Sequence, residues 1–575
     1  MNSSKVLVLG DDSRAFLAVV RSLGRHGLEV HAAPFDHGSA ALRSRYIAAV
    51  HRLPPYNLDA EAWVRAVRLL LDEQGFALVV PCDDRSILPL HRHRAALGGT
   101  RLALPNEAAF TAFFDKLRTR ELAARAGVAV AAGEQLAPGA EAADLVRRFG
   151  LPLAVKPRNS FDLAQIASRR TVSIVQTEAA LAAALAEITH PEHYLVEAFF
   201  RGEGVGVSIL AAEGEVLQAF QHQRVQESGP TGGSTYRVSV ALEPMLLHAV
   251  QALAREAALH GVAMFEFRQD MATREAILIE VNARFWGSLP LAIAAGIDFP
   301  AQLYDLLAEG KRHPRVAYRV GEFARSLGND AYRLVSDLGD SGVPLLGRLG
   351  RAGREVAVGF GRMARGRERH DTFARDDIGP WFGEWREIGA WLGGGAGRRL
   401  PALRRMRAQR SRGRFAARLA PQPGRKLRLL VLCFGNICRS PFAAALLARE
   451  LAAARPDIEV LGGGFLAKEN RQSPDTAIAQ AAVLGIDLAP HRSRFVTDAD
   501  LEAADAILVF DAQNIGELSK RGMKAADRAF LLGDFATDPG EIEDPYGQSA
   551  ETFRDTYQRI TTSVAAIVAL LRTAG

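Results

Sequence analysis

The chain opens on an apolar run, Val6 to Leu9, stopped by Gly10. Apolar positions then recur at helical spacing through RAFLAVVRSLGR, and a second apolar run begins at Val30. Strand, turn, helix and strand in this order predict a βαβ unit at the head of an open α/β domain. No G-x-G-x-x-G follows the first strand, so a dinucleotide fingerprint is lacking. ALVVPCDD (Ala77–Asp84) predicts a later strand ending in an acidic loop, with Cys82 as a small buried residue. After Phe113 the pattern changes. FFDKLRTRELAARAGV starts a helix, and LPLAVKP, HYLVEA, VAMFEFRQD and AILIEVN predict strands. Much later, LRLLVL (Leu427–Leu432) predicts a buried strand. It runs through the octapeptide CFGNICRS into PFAAALLARELAAA, a helix with Pro441 near its first turn.

At 575 residues, 48% hydrophobic and 24% charged, the composition predicts a globular protein of two to four domains. MNSSKVLVLGDD reads as strand and turn rather than a secretory signal, and no apolar stretch is long enough to span a bilayer. Three cysteines argue against a disulfide framework and predict a reducing, cytoplasmic setting. The formal charge of +6 is modest, but its distribution is uneven. Gly393 to Arg428 contains no acidic residue and is rich in Gly, Pro and Arg, which marks a basic linker or mobile basic helix over 394–426, read first as a solvated hinge and second as a contact for anionic membrane or nucleic acid. Phe415 is its lone aromatic residue, so no nucleic-acid partner is expected.

CFGNICRS places a cysteine, a five-residue loop, an arginine and a serine between strand and helix. Backbone N–H groups and the helix N-terminus then face a phosphate dianion, and the arginine grips two of its oxygens. The same field favours a nucleophilic thiolate at Cys433. About a hundred residues later, Asp544-Pro545-Tyr546 supplies a carboxylic acid of the kind a phosphate-ester leaving group needs. On the CFGNICRS and DPYG motifs, residues Leu427 to Gly575 resemble the low-molecular-weight protein tyrosine phosphatases. The resemblance implies Cys433 as nucleophile, through a phosphocysteine, with Arg439 stabilising the transferring group. It implies Ser440 as hydrogen-bond partner of the thiolate, Asn436 as keeper of the loop shape and Asp544 as acid and then base. No cofactor is implied. Cys438 matches a cysteine that closes a reversible disulfide with the nucleophile, and His491 matches a common family position. The glycines of LGGGF (Leu461–Phe465) stand where many relatives have a serine, which predicts weaker hydrogen bonding behind the loop.

Upstream, Lys116 begins a helix and Lys156 ends a strand. Glu197, Glu266, Glu280 and Asn282 all lie in predicted strands. Lysines neutralise nucleotide phosphates, and alternate positions such as Glu280 and Asn282 share a strand face and can ligate one Mg²⁺, with Glu266 beside them. Arg284, one alternate position further, suits a phosphate or carboxylate. This constellation resembles the ATP-grasp superfamily, in the branch similar to the carbamoyl-phosphate synthase large chain, over Lys5 to Gly310. The resemblance implies ATP contacts at Lys116, Lys156, Glu197 and Arg284, with Glu197 in the strand that reads adenine and ribose. It implies Mg²⁺ (Mn²⁺ as the alternative) at Glu266, Glu280 and Asn282. The implied chemistry activates a carboxylate as an acyl phosphate for attack by an amine or other nucleophile. The loop after Lys156, RNSFDLAQIASRR, lacks the glycines common in the superfamily, leaving Arg158, Ser160 and Arg169 as substitute donors. QESGPTGGSTYR (Gln226–Arg237) carries glycines and is placed to cover the site.

The expected architecture is α/β and α+β, multidomain. A pre-grasp α/β domain spans 1–105, a two-lobed ATP-grasp domain 106–310 and a helical extension 311–393, where Trp381, Trp385 and Ile388 form a packing face. The linker at 394–426 precedes a parallel-sheet phosphatase domain at 427–575. The expected partners are ATP, a carboxylate, a nucleophile, and a phosphotyrosine protein or small phosphoester. Two rivals are a nucleotide-sensing module without ligase activity and an arsenate-reducing C-terminal half. The second is disfavoured because no cysteine follows Cys438.

Overall fold

The computed structural model describes the chain except residues 1–3, 58, 162–165, 167–169, 229–232, 332–357, 360, 400, 423, 467, 521–526, 549 and 574–575. It divides into two units, Met1–Ile388 and Gly389–Gly575. The architecture is multidomain α/β, as the sequence predicts.

At the head of the first unit, β1 (Lys5–Leu9), β2 (Glu29–Ala33), β3 (Ile47–Val50) and β4 (Leu78–Pro81) form a parallel sheet ordered β3-β2-β1-β4. Val6 to Leu9 are all buried because a parallel sheet is covered on both faces. The Asp12 carboxylate accepts the N–H groups of Arg14, Ala15 and Phe16, which starts the helix Ala15–Arg25 directly behind β1. Cys82 is buried, and burial pushes its thiol pKa up, so it is a packing residue here.

β5 (Gly133–Gln135), β6 (Leu153–Pro157), β7 (Ser173–Val175) and β8 (Tyr194–Ala198) form an antiparallel sheet ordered β5-β8-β6-β7. Seven further strands form a larger sheet: β9 (Glu203–Ala212), β10 (Glu215–Ser228), β11 (Gly233–Val240), β12 (Gly261–Gln269), β13 (Ala276–Asn282), β14 (Phe323–Arg325) and β15 (Glu368–His370). Their order is β13-β12-β9-β10-β11-β14-β15. One apolar cluster joins Val6 and Phe16 of the head to Trp286, Leu289 and Phe299, packing head and large sheet together.

The segment predicted as a helical extension runs into the helix Gly379–Arg399 and also adds strands β14 and β15 to the large sheet. Each is three residues long, too short for alternation to show in the sequence. Side chains weld them in place. Buried Arg237 pairs with Asp371 at 2.5 Å, Tyr236 donates to Glu368 at 2.6 Å, and Arg21 pairs with Asp377 at 2.8 Å. Of the expected packing face, Ile388 is buried and Trp381 meets Trp385 edge-on at 6.1 Å, but Trp385 remains 46% exposed.

In the second unit, β16 (Leu427–Cys433), β17 (Ile458–Gly464), β18 (Ala506–Val509) and β19 (Ala529–Leu531) form a parallel sheet ordered β17-β16-β18-β19. Of the two forms the sequence allows for the basic segment, linker or helix, most of it is the helix Pro401–Arg418. Ala408, Phe415 and Leu419 are buried, with Phe415 edge-on to Phe530 and Phe535 at 5.2 and 4.9 Å. Arg412 donates from Nε to the Asp534 carbonyl at 2.9 Å and from Nη2 to the Ala536 carbonyl at 2.8 Å. Three apolar residues spread over three turns make a sparse stripe, easily lost among arginines in the sequence.

No single helix among the described residues is long and apolar enough to cross a membrane. Phe415→Ala should lower the stability of the second unit by about 3–5 kcal/mol, the usual loss for a buried Phe. Denaturant unfolding of the full chain, followed by alkylation of the buried thiols Cys433 and Cys438, measures it. A passive linker would show no change.

Candidate active sites

Cys433 is the last residue of β16, and Arg439 is the first of the helix Arg439–Leu451. The loop between them folds back over the sulfur. The Asn436 N–H donates to Cys433 Sγ at 3.3 Å, and the Ser440 hydroxyl lies 3.1 Å from the same atom. Asn436 is in the left-handed region, φ +51°, which asparagine tolerates better than most residues. Its side chain locks that turn. Nδ2 donates to Ser440 Oγ at 2.9 Å and Oδ1 accepts from the Arg494 N–H at 3.0 Å. His491 Nε2 lies 2.8 Å from the Asn436 carbonyl.

The glycines behind the loop leave its hydrogen bonding there to the backbone. The Gly463 carbonyl lies 3.2 Å from Ser440 Oγ, so backbone serves as the hydrogen-bond partner. At Gly464 a Cβ would stand 2.9 Å from both Asn436 Cβ and its backbone N. That position therefore has no room for a side chain.

Arg439 is buried at 1% exposure. Nη1 donates to Asp511 at 2.5 Å and to the Ile542 carbonyl at 2.9 Å, and Nη2 donates to Asp544 at 2.6 Å. Among the described residues its Nε is buried without a partner. A buried guanidinium N–H in a loop at a helix N-terminus suits an oxyanion. Asp544 is itself 42% exposed, open to an incoming group. The Cys438 thiol is pushed up to about 12 by burial, with Asp544 and Cys433 adding to the shift. It stays protonated at neutral pH and does not compete as a thiolate. Tyr557 donates to the Cys438 carbonyl at 3.1 Å and stacks on Phe442 at 4.0 Å, bracing the helix end of the loop.

The sequence reading missed Asp511. It follows the strand AILVF and precedes a helix, the same strand-end setting as Cys433, and that was the available signal.

In the first unit, Lys116 opens the helix Lys116–Arg125 and donates to Ser160 Oγ at 2.9 Å. Lys156, buried on β6, pairs with Glu197 on β8, and Arg120 donates to the same carboxylate at 2.8 Å. Lys116, Lys156, Glu197, Glu266 and Glu280 line one cavity of about 110 Å³. A neighbouring cavity of about 50 Å³ shares Lys116 and Glu280 and adds Asn282 and Asp84. Arg284 makes a two-point pair at 3.0 Å with Asp84, which lines the second cavity. Arg158 pairs with Asp115. Arg169 and residues 229–232 of the glycine-bearing loop lie outside the described residues.

Glu266 and Glu280 sit directly opposite each other on β12 and β13, with Met264 opposite Asn282. Two carboxylates facing each other across strands repel and call for a cation. Burial raises the Glu266 pKa, against the pull of Arg224, which reaches its carboxylate at 2.5 Å. Asn282 Nδ2 donates to Glu266 at 3.2 Å. Two carboxylates and an amide oxygen are hard donors that fit Mg²⁺. The sequence reading missed Arg224, which its strand pattern HQRVQE did not set apart from a surface arginine.

Residues 428–574 match the family model of the low molecular weight phosphotyrosine protein phosphatases, and 190–324 match that of the ATP-grasp in the biosynthetic pathway with Ter operon. The C-terminal part is 33% identical over 147 residues to the probable low molecular weight protein-tyrosine-phosphatase EpsP of Ralstonia nicotianae, covering 26% of this chain and 97% of that one. It is 31% identical over 147 residues to the protein-arginine-phosphatase of Geobacillus stearothermophilus, covering 25% and 97%. The L-amino acid ligase structure from Bacillus licheniformis is similar at 19% identity and a TM-score of 0.42, covering 55% of this chain and 78% of that one.

Gly464→Ala should push Asn436 out of its turn, costing about 1–3 kcal/mol and most of the aryl phosphatase activity. Thermal unfolding and steady-state kinetics on the same sample check both. Unchanged activity would mean that the loop does not depend on this contact.

Proposed function

Since the chain belongs, through residues 428–574, to the low molecular weight protein tyrosine phosphatases, and carries an ATP-grasp domain ahead of them, we propose that it is a bifunctional enzyme. One half is an Mg-ATP-dependent carboxylate ligase. The other is a phosphotyrosine-type phosphatase. The observation that carries the phosphatase reading is the Arg439 guanidinium, buried beside the Cys433 loop and held between Asp511 and Asp544.

In this reading the substrate phosphate displaces the carboxylates from Arg439, whose N–H groups and the loop amides then hold its oxygens. Cys433 Sγ attacks phosphorus, forming an S–P bond as the P–O bond to the leaving group breaks. Asp544, released from Arg439 and protonated from solvent, gives that proton to the leaving oxygen. Ser440 steadies the sulfur from 3.1 Å. Water then attacks the phosphocysteine, Asp544 takes its proton, and the S–P bond breaks to return the thiolate. Asn436 holds the loop in shape throughout. The substrate is a phosphotyrosine protein or a small phosphoester. Asp544→Asn should slow poor leaving groups by at least tenfold more than good ones, since only poor ones need the proton. A leaving-group series of aryl phosphates measures this, and equal losses would assign Asp544 a structural part. Faster turnover of a phosphoarginine peptide than a phosphotyrosine one would reassign the substrate class.

In the ligase half, Lys116 and Lys156 neutralise ATP phosphates, and the Lys156–Glu197 pair presets the ammonium in the cavity. Glu197 and Arg284 complete the nucleotide and carboxylate contacts. Glu266, Glu280 and Asn282 hold Mg²⁺, with Mn²⁺ as a substitute. When bound, the ion supplies charge neutralisation for the transferring phosphoryl group. The opposed Glu266 and Glu280 support this reading. Three free cysteines agree with a cytoplasmic setting. Glu266→Gln with Glu280→Gln in the full chain should leave the fold intact and strip the Mg²⁺ dependence of ATP binding. Isothermal titration with and without Mg²⁺ measures it. A folded wild-type chain that binds no ATP at millimolar nucleotide would sink the ligase reading. ATP binding without turnover across candidate acceptors would favour a nucleotide sensor instead.

A further inference from the structure

The helix Pro401–Arg418 lies outside the part that matches the phosphatase family, which starts at residue 428. Its apolar side is spent, because Ala408, Phe415 and Leu419 are buried and Arg412 is clamped to two carbonyls of the phosphatase unit. The opposite side is cationic. Arg410, Arg414 and Arg418 recur at i, i+4 and i+8, so they form one row, and all three are exposed. Arg414 also rests over the Phe530 ring at 5.4 Å. The row spans about 12 Å along the helix.

Like charges at i, i+4 spacing destabilise a helix. Among the described residues no acidic side chain within ion-pair distance relieves these three. The surrounding segment deepens the asymmetry. Of the chain's 71 Lys and Arg residues, twelve lie between Gly393 and Arg428, and none of its 65 Asp and Glu does. Without that segment the net charge of +6 would be −6. An anionic surface therefore attracts this helix and repels the remainder.

We propose that the Arg410–Arg414–Arg418 face docks the chain on an anionic lipid bilayer. A planar headgroup layer fits what the geometry offers, a straight row on a helix whose other flank is covered. Among the described residues no exposed aromatic ring accompanies the row, because Phe415 is buried, so nucleic-acid bases have nothing here to stack on. With its apolar side occupied by Phe415 and Leu419, the helix does not insert. Docking is electrostatic, salt-sensitive and reversible.

The experiment is co-sedimentation of the full chain with phosphatidylcholine vesicles, with and without phosphatidylglycerol. Binding is expected to the anionic vesicles alone, falling steeply with salt. Replacing the three residues by Arg410→Gln, Arg414→Gln and Arg418→Gln should reduce partitioning about a hundredfold, at roughly fivefold per arginine. The matching Arg→Lys variant should retain it. Unchanged circular dichroism and aryl phosphate hydrolysis show that the Gln variant is folded. Three results would overturn the proposal. They are no binding to anionic vesicles at low salt, equal binding by the Gln variant, or displacement from vesicles by duplex DNA at equal phosphate concentration.

Discussion

A cation taken out of water must be held by anions, and this constraint shapes both candidate sites. Arg439 remains charged at 1% exposure because Asp511, Asp544 and the Ile542 carbonyl surround it. Lys156 sits buried against Glu197, which Arg120 also grips. In each case the fold sets the cation in place among anionic oxygens, so its desolvation is already met, as the proposed phosphate contacts require.

The two sites differ in how tightly the backbone commits them. In the phosphatase unit, strand β16, a left-handed Asn436 and the Arg439 helix leave the loop little freedom. Gly464 closes the space behind it, and hydrogen bonds from Arg494 and to Ser440 lock it. The cavity of the first unit is assembled from two sheets instead, with Lys156 and Glu197 on one and Glu266 and Glu280 on the other. Side chains from separate sheets meet there by packing rather than by one continuous loop.

Packing also ties accessory segments to these sites. Strands β14 and β15 extend the large sheet through buried pairs such as Arg237 with Asp371. The basic helix Pro401–Arg418 fastens to the carbonyls of Asp534 and Ala536, ahead of the loop that carries Asp544. Segments that read as connectors are therefore part of each unit's framework.

The sequence by itself determined the chemistry that is local in the chain. Cys433, Asn436, Arg439 and Ser440 fall within one octapeptide between a strand and a helix, so their meeting needed no long-range knowledge. Glu280 and Asn282 share a strand face for the same reason of short periodicity. Only the tertiary structure decided which distant residues complete these groups. Asp511 reaches Arg439 from another strand end, and Arg224 reaches Glu266 from β10. It also decided that Arg284 is taken by Asp84 and that a run of arginines is a packed helix. A single charged residue at a strand end or on a helix carries no record of its partner in the sequence. Its role is set by what a long-range fold brings within about 3 Å of it.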